Sequence, residues 1–217
     1  VNRSIVKRLT GRAWEDFKAL ESIPEYDAAV ARCTNWRDFY EREFGLSGQA
    51  VESAGHLWPE YQLRDGTPVE PFEGVRETLE ALGHLPHGIV SQNARDIITA
   101  TLGPLGLGER FGHVVGYREV GPGRQKPASD GLLDCLEALT DLAPGMAFYI
   151  GDHPTDTQCV AESRQELAAR RLDIELKSIA VLYGGESPHT WSTQPDEVAG
   201  SPREIVEIVE LHLPCRR

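Results

Sequence analysis

The side chains best suited to chemistry in this 217-residue chain stand at the ends of short apolar runs. Asp152 and Asp156 lie four residues apart and follow the apolar run from Ala147 to Ile150. Such a run is typical of a buried parallel strand, which would deliver both carboxylates to the edge of a sheet. Carboxylate oxygens in that position can hold Mg²⁺ between protein and phosphate. The alternative is a capped helix, with Asp152 or Thr155 as N-cap and Asp156 favouring the helix dipole.

Two further loops carry polar groups that can bind phosphate. Ser91, Gln92 and Asn93 follow a short apolar stretch and precede a predicted helix, so a hydroxyl and a helix N-terminus could donate hydrogen bonds to a phosphate oxygen. Lys126 stands before Pro127 and another predicted helix, where it would supply a fixed positive charge. Alone, Ser91 could be an N-cap and Lys126 a solvent-exposed side chain. A hydroxyl, a lysine and paired aspartates at successive strand ends favour one shared site.

The elements that would position these loops alternate between helix and strand. The predicted helices are Glu73–Leu82, Ala94–Leu102, Ser129–Leu139, a helix from Thr155 onward, and Pro202–His212; the predicted strands are His87–Ser91, His113–Gly116, Ala147–Ile150 and Ser178–Tyr183. This alternation is typical of βαβ units with right-handed crossovers. We therefore expect an α/β protein with a Rossmann-like parallel sheet.

The first part of the chain carries helical patterns instead. Trp14, Phe17 and Leu20 are spaced as on a helix, and a second aromatic stripe spans residues 36–44, which indicates core packing more than a cofactor site. A third helix is predicted over Gln49–Gln62 with an interruption near Pro59. Residues 64–71 have the composition of a linker. The expected domains are therefore helical residues 1–70 and an α/β core over 71–217.

Composition excludes several classes of partner. The net charge of −12 makes nucleic acid and anionic membrane surfaces unlikely partners. Cys33, Cys135, Cys159 and Cys215 are isolated in the sequence, which argues against structural zinc and against a disulfide framework. The chain has no apolar run of membrane-spanning length and no signal-peptide pattern at its start, so we expect a cytoplasmic protein.

The three loops resemble the motifs of the haloacid dehalogenase superfamily, specifically its phosphatases of the phosphoglycolate phosphatase type. The matching segments are Pro71–Val75, Ser91–Asn93, Lys126–Asp130 and Gly151–Thr157. The resemblance implies that the 91–93 loop and Lys126 bind a phosphoryl group, with Ser91 and Lys126 as catalytic residues. It further implies that Asp152 and Asp156 hold Mg²⁺ and that the substrate is a small phosphorylated metabolite. The helical residues would form a cap, in which candidate substrate contacts are Arg12, Trp14, Arg37 and Trp58.

One motif of that superfamily is missing. Its members carry Asp-x-Asp-Gly-Thr on the first strand, where one Asp attacks phosphorus and the other acts as general acid and base. Residues 1–63 do not contain it, and Asp65-Gly66-Thr67 reads as a turn in the linker. Because paired strands lie about 4.8 Å apart, the lack of that strand should leave a gap between two others. Residues 1–4 resemble the segment after the motif, so we expect an N-terminally shortened sequence.

Other readings stay open at this stage. The chain could be a non-catalytic module that binds a phosphorylated metabolite, or a phosphomutase. A dehalogenase is disfavoured because that reaction does not need the Asp152 and Asp156 metal pair. Segment 162–175 is expected to be an unusually long connection before the next strand. The oligomeric state is expected to be a monomer or homodimer.

Overall fold

The computed structural model describes residues 1–33, 35–66, 69–121, 123–183 and 187–213. The chain divides into two compact units, Val1–Pro68 and Val69–Arg217. Within the described residues, none of the helices is both long and apolar enough to cross a membrane. Each unit has its own hydrophobic core.

Every regular element described in the first unit is a helix. The α-helices are α1 (Asn2–Thr10), α2 (Ile23–Ala31), α3 (Trp36–Phe44) and α4 (Gln49–Asp65), and two 3₁₀ turns cover Trp14–Asp16 and Lys18–Leu20. The predicted interruption near Pro59 is wrong, because α4 continues through it. Pro59 is buried, so its packing offsets the hydrogen bond that a proline cannot donate. The helix ends at Asp65, and its C-cap Gly66 takes the left-handed conformation (φ 65°), which a residue without a Cβ adopts without steric penalty. Thr67, in the predicted turn, lies outside the described residues.

Aromatic side chains form the core of the first unit, as their spacing predicts. Phe39, Tyr40 and Phe44 on α3 are buried. The Phe39 and Phe44 rings meet edge to face at 5.1 Å, and Phe17 meets Phe44 in the same way at 5.3 Å. The 3₁₀ turns bring Phe17 and Leu20 into this core. The spacing of Trp14, Phe17 and Leu20 by three residues therefore reflects 3₁₀ turns and not an α-helix.

The second unit alternates between helices and strands, as predicted. Its helices are α5 (Val75–Ala81), α6 (Arg95–Leu102), α7 (Tyr117–Val120), α8 (Asp130–Thr140), α9 (Pro154–Ala169) and α10 (Pro202–His212), with 3₁₀ turns at Gly108–Arg110 and Pro188–Thr190. Its strands are β1 (Gly88–Val90), β2 (His113–Val115), β3 (Gly145–Gly151), β4 (Ile174–Val181) and β5 (Glu197–Ala199). Segment 162–175 consists of the second half of α9, which runs to Ala169, a short loop, and the start of β4 at Ile174. That this connection is unusually long stays a prediction.

All described strand pairs are parallel, but they form two sheets instead of one. β1 pairs with β2, with Val90 opposite Val115. β3 pairs with β4, with Tyr149 opposite Ser178, and β4 pairs with β5. Among the described residues no ladder joins β1 to β3. The α/β class with parallel strands is confirmed. That a missing strand accounts for the separation of the two sheets stays a prediction.

Helices cover both faces of the strands. On one face α8 packs on β1 and β2, while α9 packs on β3 and β4, and the two helices contact each other. Leu132, Leu136, Val160 and Leu176 belong to the core between these layers. On the other face α10 packs on β5 and on α5. This arrangement leaves the carboxyl ends of the strands as the place where loops can form a site.

Candidate functional site

The three predicted loops meet at the carboxyl ends of β1 and β3. The Gln92 side-chain amide donates a hydrogen bond to the Lys126 carbonyl at 3.0 Å. The Lys126 ammonium in turn donates to Asp156 Oδ1 at 2.6 Å. The loop of residues 91–93 therefore contacts the Lys126 loop, and the Lys126 loop contacts the segment that carries Asp156. Parallel topology explains this convergence, since strand exits of the same direction share one edge.

Ser91 stabilises a tight turn after β1. Its backbone N–H donates to the Val115 carbonyl at 2.9 Å and extends the β1–β2 ladder by one hydrogen bond. Its hydroxyl oxygen accepts a hydrogen bond from the Asn93 amide at 3.1 Å. The next helix begins at Arg95 with Ala94 as its N-cap, so Ser91 is not the helix cap that its residue type could suggest. Because the oxygen accepts within the turn, the hydroxyl proton is available to a ligand.

Lys126 and Asp156 form a buried ion pair. The side chains are 14% and 6% exposed. The phenol of Tyr149 lies 3.1 Å from the Lys126 ammonium, from which it accepts, and 3.3 Å from Asp156 Oδ1. The same phenol lies 3.1 Å from the Val90 carbonyl. Its single proton is therefore shared between a carboxylate and a backbone acceptor. Lys126 is thus fixed in place and is not a solvent-exposed side chain.

Helix α9 begins with a cap that the sequence did not suggest. His153, not Asp152 or Thr155, is the N-cap, and its Nδ1 accepts from the Thr155 amide at 3.3 Å. Asp156 Oδ2 accepts from the His153 amide at 3.0 Å, which completes a capping box. Both oxygens of Asp156 are therefore engaged, one by the ion pair and one by the cap.

The two aspartates differ in what they can offer a metal. Asp152 is exposed at the end of the strand, whereas Asp156 is 4% exposed and bound to Lys126. Mg²⁺ commonly uses one or two carboxylates, several waters and substrate oxygens. The residues present fit such an ion with Asp152 as the available carboxylate. Within the described parts of the chain, no cluster of three or more His, Cys, Asp or Glu forms a cage for a metal. The assignment of Mg²⁺ to both aspartates stays a prediction.

Burial sets the protonation of the groups behind the site. Burial, followed by the nearby Asp156 carboxylate, raises the pKa of Tyr149 well above its ordinary value, so the phenol is neutral at physiological pH. Burial likewise raises the pKa of the Cys159 thiol to about 12. At Tyr183, burial and then the Asp152 carboxylate raise the pKa. These groups act as neutral donors and acceptors, and Cys159 is not a candidate nucleophile.

The polar groups of the predicted cap contacts are engaged within the first unit. Arg12 pairs with Asp16 at 3.4 Å, and Arg37 pairs with Glu52 at 2.8 Å. The guanidinium of Arg3 stacks on the Trp14 ring at 3.7 Å. The Trp58 indole donates to the Gln62 side chain at 2.8 Å. Substrate contact by Arg12, Trp14, Arg37 or Trp58 stays a prediction.

Sequence reasoning missed Tyr149 and His153. The sequence pattern places Tyr149 only in an apolar strand and His153 only in the loop between the aspartates. A tyrosine inside an otherwise apolar strand signals a buried hydroxyl that needs a partner. For His153 the residue type gave no such signal, because Ser, Thr, Asp and Asn are the preferred N-caps.

The comparisons with known proteins identify the family of the chain and its fold. The family model described as haloacid dehalogenase-like hydrolase matches residues 39–169, which is more than half of the chain. The chain therefore belongs to the haloacid dehalogenase-like hydrolases. The comparison with curated protein sequences finds no match.

Solved structures show the same fold at low identity. A predicted phosphoglycolate phosphatase from Lactobacillus plantarum is 16% identical with a TM-score of 0.72, over 95% of this chain and 90% of that chain. A haloacid dehalogenase-like hydrolase from Streptococcus pneumoniae is 20% identical with a TM-score of 0.66, over 95% and 88%. A predicted phosphoglycolate phosphatase from Haemophilus somnus is 15% identical with a TM-score of 0.66, over 95% and 88%. At these identities the likeness establishes the fold and leaves the substrate to other arguments.

Proposed function

We propose that this chain is a Mg²⁺-dependent phosphatase of small phosphorylated metabolites, located in the cytoplasm. The observation that carries the proposal is the meeting of a hydroxyl loop, a fixed lysine and two aspartates at one edge of parallel strands. Membership of a hydrolase family supports the reaction class. Two of the solved relatives are themselves predicted phosphoglycolate phosphatases, which supports a small substrate.

The charges of the site explain why a cation belongs in the proposal. Lys126 carries one positive charge, and Asp152 and Asp156 carry one negative charge each, so the three together sum to −1. A phosphate dianion would meet net repulsion there. When bound at Asp152, Mg²⁺ supplies positive charge to the phosphoryl oxygens. Phosphate affinity should therefore depend on Mg²⁺.

The chain's own groups bind and orient the phosphoryl group. The Ser91 hydroxyl keeps its proton for a phosphoryl oxygen, since its oxygen already accepts from Asn93. The Lys126 ammonium has three N–H donors and directs two of them to Asp156 and Tyr149. The third can donate to the ligand. These are the positioning and charge-stabilising contributions that phosphoryl transfer requires.

A second candidate function is binding without catalysis. Both oxygens of Asp156 are engaged, and residues 1–63 have no Asp-x-Asp pair to serve as covalent acceptor and proton donor. We therefore expect little or no turnover from residues 1–217 alone, although charge stabilisation can leave a residual rate.

Calorimetry with inorganic phosphate tests the binding step. We expect phosphate to bind the wild type with Mg²⁺ at least about tenfold more tightly than without it. Asp152→Asn should abolish that difference. Glu175→Gln is the matched control, because it removes one negative charge at the start of β4 and should keep the Mg²⁺ effect. Equal phosphate binding by the wild type and Asp152→Asn would contradict the proposed site.

Release of phosphate from p-nitrophenyl phosphate then separates the two candidates. Turnover that is lost in Asp152→Asn and kept in Glu175→Gln would favour the phosphatase. Mg²⁺-dependent phosphate binding with no turnover would favour the binding module.

A further inference from the structure

The Lys126 ammonium is held by two oxygen acceptors that lie close to each other. Lys126 Nζ is 2.6 Å from Asp156 Oδ1 and 3.1 Å from the phenol oxygen of Tyr149. The two oxygens are 3.3 Å apart, so the three atoms form a triangle in which each side is short enough for a hydrogen bond. Asp156 supplies the opposite charge, whereas the phenol carries none. The contribution of Tyr149 to this triangle is therefore its hydrogen bond.

A second acceptor restricts the ammonium more than a single acceptor does. The lysine side chain carries about 2 kcal/mol of rotamer entropy, so one contact leaves it many arrangements. With Asp156 alone, Nζ could take any position on a sphere around Oδ1. A fixed distance to the Tyr149 oxygen reduces that sphere to a circle around the line that joins the two oxygens. The attachment of the side chain to the backbone selects a short part of the circle, so the remaining N–H group of Lys126 points in one direction, away from both oxygens.

Tyr149 is a rigid reference point for this contact. It lies in β3 opposite Ser178 of β4, and only 9% of the residue is exposed. Its ring belongs to the core that includes Leu132 and Leu136 of α8. Two torsion angles position the ring of a tyrosine, so close packing of the ring also fixes the hydroxyl oxygen. The phenol therefore presents an acceptor whose position does not depend on Lys126.

The backbone around Lys126 is held by other contacts. The Gln92 side-chain amide donates to the Lys126 carbonyl at 3.0 Å. Two residues further on, the Ala128 carbonyl accepts from the Cys159 thiol at 3.3 Å. Neither contact involves Tyr149. Loss of the Tyr149 hydroxyl should therefore release the ammonium and leave the loop in place.

We propose that Tyr149 is a positioning residue, whose hydroxyl fixes the Lys126 ammonium so that its remaining N–H group points to the bound phosphoryl group. The hydroxyl acts through Lys126 and needs no contact of its own with the ligand. Without the hydroxyl, the ammonium would keep its ion pair with Asp156 and lose its fixed direction. The inference deepens the proposed function and rests on its assignment of phosphoryl binding to Lys126.

Nuclear magnetic resonance of the lysine ammonium groups in the full chain measures this effect directly. The chain has only four lysines, which are Lys7, Lys18, Lys126 and Lys177. Their ¹⁵Nζ signals can be assigned by replacing each lysine with arginine in turn. Without ligand, the order parameter of the Lys126 ammonium should be close to about 0.85, a value typical of a rigid group, and in Tyr149→Phe it should fall below about 0.6. Lys177 pairs with Glu175 instead, so its order should not change.

Calorimetry with inorganic phosphate then tests what the fixed ammonium contributes to binding. In the presence of Mg²⁺, Tyr149→Phe should bind phosphate at least about threefold more weakly than the wild type, because binding then has to immobilise the Lys126 side chain. Ser163→Ala is the matched control, since it removes another buried hydroxyl of the second unit, which donates to the Cys159 carbonyl at 2.8 Å. This variant should be less stable in urea, yet keep both the order of the Lys126 ammonium and the phosphate affinity.

Several results would overturn the inference. One is equal order of the Lys126 ammonium in the wild type and Tyr149→Phe. Another is a wild-type Lys126 ammonium as mobile as that of Lys18, which is 75% exposed, and this comparison needs no variant to fold. A loss of order with unchanged phosphate affinity would refute the inference and leave the proposed function standing, and an equal loss in Ser163→Ala would show that destabilisation alone is responsible. If the wild type binds no phosphate with Mg²⁺, the proposed function fails, and the inference fails with it.

Discussion

Replacing Lys126 with Met should destabilise the second unit strongly. The substitution shortens the unbranched side chain by one atom and removes its charge, which leaves the Asp156 carboxylate buried with only Tyr149 and the His153 amide as donors. Removing one member of a buried ion pair typically costs 3–5 kcal/mol. Because the Lys126 side chain is 14% exposed, we expect the lower end, about 3 kcal/mol at neutral pH.

The same reasoning gives the size of the coupling between the two charges. Asp156→Asn alone should cost about 3 kcal/mol, since it leaves the ammonium without its counter-ion. The double variant has no buried charge left and should cost clearly less than the sum of the two single variants. We expect a coupling free energy of at least about 2 kcal/mol in the double-mutant cycle.

Urea unfolding followed at Trp191 measures these values. Trp191 is buried in the second unit, and the other three tryptophans, Trp14, Trp36 and Trp58, lie in the first. Labelling with 5-fluorotryptophan gives each a separate ¹⁹F resonance, so the Trp191 signal reports on the unit that contains Lys126. For a slope near 2 kcal/mol per molar urea, a loss of 3 kcal/mol lowers the midpoint by about 1.5 M.

A matched lysine on β4 provides the control. Lys177 pairs with Glu175 at 3.3 Å, but the Glu175 side chain is 59% exposed. Exposed pairs contribute at most about 1 kcal/mol, so Lys177→Met should move the Trp191 midpoint little. If Lys126→Met cost no more than Lys177→Met, or if the cycle were additive, the buried ion pair would not stabilise the unit and the reasoning would fail.

Two further predictions concern groups around the site. A Cβ at Gly151 would overlap the Asp156 carboxylate, so Gly151→Ala should lower the free energy of unfolding by about 1–3 kcal/mol in the same urea assay. Gly145→Ala is the control, because a Cβ there meets open space and should cost less than about 1 kcal/mol. Equal costs would contradict the overlap. Burial alone would raise the pKa of Asp196. Hydrogen bonds, including those from the Ser178 amide and hydroxyl, outweigh burial and lower the pKa below the ordinary 3.8. Because the pKa is lower in the folded protein, the carboxylate stabilises the fold fully above its ordinary pKa and loses this effect as the pH falls through its folded-state pKa. The stability advantage of the wild type over Asp196→Asn should therefore be full at pH 7 and smaller at about pH 3. An advantage that did not change with pH would contradict this.

The sequence predicts the alternating elements of the second unit well because their signals are local. Apolar runs and helix patterns stand between clear breaks, and the helix Pro202–His212 agrees with its prediction at both ends. The short strand β5 was not predicted, because Glu197–Ala199 contains a single β-branched residue, whereas β1 and β2, which are equally short, each contain two. The continuous α4 was mispredicted because the burial of Pro59 depends on packing within the whole unit.

The site could be predicted as a set of loops but not as a set of contacts. Parallel topology alone brings the loops that carry Ser91, Lys126 and Asp156 to one edge. The phenol of Tyr149, however, contacts Lys126 and Val90, which are 23 and 59 residues away in sequence. Such long-range partners are fixed by tertiary packing, and no local pattern reports them.

The unequal aspartates also decide how the site can respond to its ligands. Asp156 neutralises Lys126 inside the protein, so the charge left at the surface of the site is that of Asp152. A cation and a phosphate would each reduce the electrostatic cost of binding the other, and by linkage the effect must be reciprocal. If phosphate binds about tenfold more tightly with Mg²⁺, then Mg²⁺ must bind about tenfold more tightly with phosphate. A site in which both aspartates faced the ligand would instead bind Mg²⁺ well without phosphate. The size of the coupling between Mg²⁺ and phosphate therefore measures how far the ion pair with Lys126 keeps Asp156 from the ligand.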